Sequence, residues 1–276
     1  MSHKRLTERF PFLLPLRRAQ RKCLFYAKLW WQRGRYARRR GDAMLAHTLY
    51  ETKTQLINAD SGHNITFQYN KMHNIKLCTA QMNGLLIQPG ETFSFWFSAH
   101  HADRRTPYKD GLVLVNGEIQ AVRGGGLCQL SNLLFWMCLH TPLTIVERHP
   151  HNKKALPTPP GDVPAGVDAT VSEGWLDLKV KNETASTFQL EFVYDGTELI
   201  GRVRTDDPSL FLYGVEGRGL QYVRQNGRIY EEIDLYRHKR EPHSGEVVST
   251  AFLYHNRCLI DYPLPDDVPV VEKRGA

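Results

Sequence analysis

Three consecutive glycines, Gly124, Gly125 and Gly126, stand two residues before Cys128 in the stretch VRGGGLCQLSNLLFW, residues 122–136. Glycine lets the backbone take positive φ and come close to a ligand. The apolar run that follows predicts a helix over about 127–140, with Cys128 in its first turn. Unpaired N–H groups and the helix dipole favour an anion at that end, so a thiol there is expected to ionise more readily. Thiolate is the nucleophilic form, and the same N–H groups suit the oxyanion of a tetrahedral intermediate. Strand, glycine turn, thiol and helix in this order point to attack on an acyl group. Gln129, Ser131 and Asn132 supply polar neighbours, whereas Cys138, in FWMCLH, reads as core. A phosphate cradle is less favoured, because no lysine follows the glycines as a P-loop requires.

A cysteine nucleophile needs a base, usually histidine. IVERHPHNKK offers His149 and His151 just beyond the expected helix, and spacing alone does not choose between them. Arg148 could hold a substrate carboxylate bidentately. Asp168, in GVDATV, could orient an imidazole or bind an ammonium group. Cys128, His140, His149 and His151 are also possible zinc ligands, but the chain has no C-x-x-C and no H-E-x-x-H. Neither a metal nor another cofactor is expected.

The elements that must position these groups can be read along the chain. LVLVNGEIQAV gives two short strands around Asn116-Gly117, the strongest local hairpin signal, and the second strand delivers the glycines. NGLLIQPGETFSFW holds a Pro-Gly turn followed by aromatic residues that favour a strand or buried loop. LPTPPGDVPAG, residues 156–166, reads as an ordered proline-rich loop, and the chain after it reads as mostly strands with Asp-Gly and Asn-Gly turns. The expected class is α+β: a helical, basic N-terminal region, then a mixed, largely antiparallel β body around the apolar helix carrying Cys128. Three regions are expected, at 1–58, 59–200 and 201–276, the last a β-rich extension packed on the second.

The N-terminal region carries the charge. Residues 1–40 hold 13 Lys and Arg against the single acid Glu8, which leaves the rest of the chain at −5 of the overall +7. On a helix, Leu16, Ala19, Cys23, Leu24, Ala27, Trp30 and Trp31 share one face, and Arg17, Arg18, Arg21, Lys22 and Lys28 lie mostly opposite. Such a helix suits an anionic membrane surface, with contact expected through residues 16–40, or packing on the body with a solvated basic face. The second half, DAMLAHTLYETKTQLINA, is also read as helix, capped by Asp42. No aromatic–basic platform continues into the body, so nucleic acid is not an expected partner. FPFLLPL is too short and too proline-rich for a secretory signal. Five widely spaced cysteines argue against a disulfide framework and fit a reducing compartment, so a cytoplasmic location or the cytoplasmic membrane face is expected.

IQPGETFSFW, YKDGLVLVNGE, GGGLCQLSNLLF, VERHPHNKK and GVDATVSEGWLDLKVKN occur in this order over roughly residues 60–195. Together they resemble the VanW family. The resemblance implies cell-wall biology: an accessory role in glycopeptide resistance and, from VanW domains of larger surface proteins, L,D-transpeptidase-like acyl transfer. Carried onto this sequence, it implies Cys128 as nucleophile, His151 with Arg148 beside it in the R-x-x-H block, and Asp168 in the D-A-T-V block. The implied partner is a peptidoglycan stem peptide or lipid-linked precursor. The alternative is a non-enzymatic membrane-face module that binds such precursors.

Overall fold

A computed structural model describes residues 10–58, 64–115, 118–154, 163–208 and 210–273. At its centre lies the helix carrying Cys128, here α4 (Leu127–Leu139), of which only Cys128, Gln129 and Asn132 are not buried. A helix apolar on almost every side can only be a central one, and the layers of the fold are built around it. Phe93, Phe95, Phe135 and Phe188 are among the largest fully buried side chains of the surrounding core.

Four helices and fourteen strands make up the described residues, and the class is α+β. The preceding helices are α1 (Leu14–Trp31), α2 (Ile65–Met82) and α3 (Phe95–Ala99). One antiparallel sheet runs β1–β10–β9–β2, from β1 (His47–Gln55) through β10 (Glu198–Thr205) and β9 (Phe188–Asp195) to β2 (Leu86–Ile87). A small sheet orders β3 (Thr92–Ser94), β8 (Lys179–Lys181) and β6 (Thr144–Glu147). The hairpin β4 (Asp110–Val115) and β5 (Glu118–Arg123) pairs Val115 with Glu118, as the sequence predicts; its Asn116-Gly117 turn lies outside the described residues. The C-terminal sheet is dominated by β11 (Leu212–Gln225), β12 (Arg228–Arg240) and β13 (Val247–Ile260). It is edged by β14 (Val270–Glu272) and by β7 (Lys153–Lys154), which pairs in parallel with Leu259 and Ile260.

The structure corrects one expectation and adds a helix. DAMLAHTLYETKTQLINA is not a helix: residues 47–55 form β1, which pairs with β10 some 150 positions away, and Asp42 caps nothing. Alternate Thr and Tyr side chains at 48, 50, 52 and 54 suit a pleated surface, and that long-range pairing overrides the local helical reading. Conversely, α2 is an 18-residue helix that local pattern does not reveal, because its buried face carries Gln68, Asn74 and Thr79 beside Ile75, Cys78 and Met82. Asn64 caps it, its side chain accepting from Thr66 N at 2.9 Å. The region limits expected at 58/59 and 200/201 fall respectively beside β1, a member of the β10 sheet, and inside β10 itself. Most of LPTPPGDVPAG, residues 156–162, lies outside the described residues.

Candidate active site

Hairpin, glycine turn and α4 follow one another in the predicted order, and the structure shows what the glycines do there. Gly126 is the N-cap of α4 with φ 92°, a left-handed conformation, and a Cβ on it would lie 2.2 Å from the Lys71 Cγ. A Cβ on Gly125 would lie 2.1 Å from the Gly111 carbonyl oxygen of β4. The buried Asn74 amide stitches the same turn, donating to the carbonyls of Lys109 (2.9 Å) and Gly125 (3.0 Å). Gly124 also has positive φ, 78°. Two of the three glycines thus admit protein neighbours, Lys71 and the Gly111 backbone, where the sequence pointed to a ligand.

Cys128 is half-buried in the first turn of α4, its Sγ 3.7 Å from the Val171 carbonyl oxygen. The His151 ring hydrogen-bonds Asp168 and is electrostatically coupled to the Cys128 side chain. The His151 Nδ1 to Asp168 Oδ2 distance is 2.5 Å, and the His151 backbone N–H donates to the same oxygen at 2.7 Å. Nδ1 is thereby committed to the carboxylate, which leaves Nε2 to serve the thiol. Burial pushes the imidazole pKa down, but the interactions with Asp168 and Cys128 outweigh it and hold the group at about 9. Burial likewise raises the Asp168 pKa, and the bond to His151 and the nearby Arg148 charge more than reverse this.

Arg148 completes the relay in a role other than the expected one. Its Nη2 donates to Asp168 Oδ1 at 2.6 Å and to the Gly166 carbonyl at 2.9 Å, while Nε donates to the Asp168 carbonyl at 2.7 Å. The guanidinium lies 4.3 Å from the Tyr254 ring centroid and 5.4 Å from that of Phe135, and the side chain is only 11% exposed. It is spent on holding Asp168, so it is not placed to receive a substrate carboxylate. Two other expected binding residues are also used internally. Ser131 is fully buried and donates to the carbonyls of Ala169 (2.5 Å) and Cys128 (3.1 Å). Gln129 donates to Thr54 Oγ1 (2.9 Å) and to the Gln55 carbonyl (2.7 Å), tying α4 to β1. His149 turns to Glu147, with 3.1 Å between Nε2 and Oε1, and Glu147 in turn accepts from Lys179.

Residues not anticipated from sequence hold the relay in place. Asn132 Oδ1 accepts from Ala169 N at 2.7 Å, and with Ser131 it clamps the loop segment of Asp168 to α4. The C-terminal sheet contributes Tyr254 against Arg148, Asn256 Oδ1 at 3.3 Å from Arg148, and Cys258, whose Sγ donates to the His151 carbonyl at 3.1 Å. Asn132 was visible as a polar neighbour of the thiol; Tyr254, Asn256 and Cys258 lie over 100 positions beyond His151, where no local signal could link them. Among the described residues no three His, Cys, Asp or Glu side chains group to hold a metal ion. His140 is elsewhere, stacked on Tyr50 with ring centroids 3.9 Å apart.

A family model described as VanW like protein matches residues 70–204, which hold all four members of the relay. The chain is 48% identical, over 99% of both chains, to the vancomycin B-type resistance protein VanW of Enterococcus faecalis. It is 35% identical over 113 residues to the uncharacterized protein YoaR of Bacillus subtilis, a match covering 41% of this chain and 36% of that one. No solved structure matches. The chain belongs to the VanW family.

Proposed function

We propose that this protein is an accessory factor of vancomycin resistance that acts on peptidoglycan stem peptides or their precursors by cysteine-dependent acyl transfer. The resistance role is supported by the near full-length identity to the Enterococcus faecalis protein of that name. The chemistry is supported by one observation: His151, electrostatically coupled to the Cys128 thiol, bonds a half-buried Asp168 that Arg148 holds from behind.

In this reading His151 stands as the imidazolium that Asp168 stabilises, and it pairs with the Cys128 thiolate once the thiol proton has passed to solvent. The Cys128 thiolate attacks a peptide carbonyl beside a D-amino acid, forming a carbon–sulfur bond. The tetrahedral oxyanion meets N–H groups at the start of α4, where a helix leaves donors without intrahelical acceptors, that of Gln129 being already bonded to the Gly126 carbonyl. Collapse breaks the carbon–nitrogen bond, and the leaving amine takes the proton from His151. The resulting thioester then passes its acyl group to an amine or to water, whose proton returns to His151. No cofactor enters these steps.

The test is intact-mass analysis of the protein incubated with synthetic stem peptides. A mass increase localised to Cys128, absent in Cys128→Ala and slow to form in His151→Ala, is the expected result. Wild-type protein that binds the peptides without forming any adduct, and a Cys128→Ala variant that still supports resistance in cells, would instead favour a non-enzymatic precursor-binding module.

A further inference from the structure

Helix α1 is attached to the body by one side only. Lys22 pairs with Glu173 at 2.7 Å, Tyr26 donates to the same carboxylate at 2.8 Å, and Leu29 is buried in the core. Gly174 lies directly beneath, where a Cβ would stand 3.0 Å from the Lys22 Cα. The packed face is therefore Lys22, Phe25, Tyr26 and Leu29. The apolar face of Leu16, Ala19, Cys23, Leu24, Ala27, Trp30 and Trp31 points the other way. On it Leu16 is 68% exposed, Trp30 64% and Trp31 80%, and just before the helix Phe12 is 75% exposed. Bulky aromatic and aliphatic side chains this open are not solitary surface residues but a continuous strip along one helix.

One border of that strip is cationic, the other meets the packed face at Tyr26 and Lys22, and Gln20 is the polar residue within it. Between Phe10 and Gly41 there is no Asp or Glu, while Arg17, Arg21 and Lys28 flank the strip and Arg33, Arg35, Arg38 and Arg39 follow the helix. Arg33 stacks on Trp30 at 4.7 Å, and Arg21 on the exposed Trp175 at 4.8 Å. No helix of the described residues is long and apolar enough to cross a membrane. An apolar strip with tryptophans, bordered on one side by cations and fixed flat on a folded body, has the amphipathic layout that lies in the interface of an anionic bilayer.

We propose that α1 seats this protein on an anionic phospholipid surface, with Leu16, Leu24, Trp30 and Trp31 inserted among the acyl chains and the flanking arginines on the lipid phosphates. The mounting makes this consequential for the site. Glu173, Gly174 and Trp175, which carry α1, begin two residues after Val171, whose carbonyl touches the Cys128 thiol. A protein seated through α1 would be mounted on the chain segment that leads from Val171. The proposal itself does not depend on the thiol chemistry.

The test is flotation of the full-length protein with phosphatidylglycerol vesicles and, separately, with phosphatidylcholine vesicles, at low and high salt. Binding to phosphatidylglycerol should exceed that to phosphatidylcholine by at least about tenfold and weaken with salt. The double variant Trp30→Ser/Trp31→Ser should lose most of it while its thermal unfolding stays that of wild type, since both side chains are exposed. Equal binding to the two lipids, or phosphatidylglycerol binding unchanged in the double variant, would overturn the proposal. So would a dimer formed in the absence of lipid and dispersed by the same substitutions, which would make a second copy the occupant of the strip.

Discussion

Helix α4 carries two thiols with opposite surroundings. Cys138, near its C-terminal end, is enclosed by core residues, and burial alone pushes its pKa up to about 12. Cys128, ten residues earlier, is half-buried, faces a hydrogen-bonded histidine, and lies where the helix presents N–H groups. Residue type is the same and so is the helix; the difference comes from what other elements bring to each end. A thiol becomes a candidate nucleophile here because β6 leads into Arg148 and His151, and because Asn132 and Ser131 draw Asp168 onto α4.

The sharpest way to break this contrast is to exchange each thiol for alanine. Cys128→Ala should lower acyl transfer by at least about a thousandfold without unfolding the protein. Cys138→Ala should leave transfer nearly unchanged and cost only about 1–2 kcal/mol of stability, read by chemical denaturation. His151→Ala comes next, with a loss of about a hundredfold in transfer, the usual scale for a positioned base. Arg148→Ala should act on stability as well as rate. It leaves the half-buried Asp168 with His151 as its remaining ion-pair partner and empties the space between Phe135 and Tyr254, a loss of about 3 kcal/mol. Arg148→Lys restores only part of this, because an ammonium cannot reproduce the forked contacts to Asp168 Oδ1, the Asp168 carbonyl and the Gly166 carbonyl.

A further effect is on pH dependence. His151 is held at about 9 in the folded chain against an ordinary 6.5, so it favours the folded state fully below the ordinary value. That contribution is lost as pH rises through 9. Asp168, held below its ordinary range, contributes in the opposite direction: its share is present above that range and lost as pH falls through the lowered value. Wild-type stability to urea should therefore decline from about pH 6.5 to about pH 9.5, and His151→Asn should flatten that slope.

Sequence made parts of this account legible and hid others for physical reasons. The glycine turn, the β4–β5 hairpin and α4 are local features with strong signals, and Cys128 follows from them. Arg148 was visible as a cation near the thiol, but its purpose depends on Asp168, Phe135 and Tyr254, which only the fold brings together. The choice between His149 and His151 likewise turned on which neighbour each ring meets, Glu147 or Asp168. α2 escaped because its buried polar side chains serve the fold: Asn74 holds the glycine turn, and Thr79 Oγ1 bonds the Tyr194 hydroxyl at 2.7 Å. Those side chains blur the apolar stripe by which a helix is recognised.

The central claim is that His151 and Cys128 act as one unit. The direct test is the rate of Cys128 alkylation by iodoacetamide across pH, followed by peptide mass spectrometry in wild type and His151→Ala, with Cys138 as the internal control. The account predicts that Cys128 is alkylated faster in wild type than in His151→Ala at neutral pH, the two rates converging at alkaline pH, while Cys138 stays unmodified in both. A Cys128 whose pH profile is the same in both proteins would contradict it.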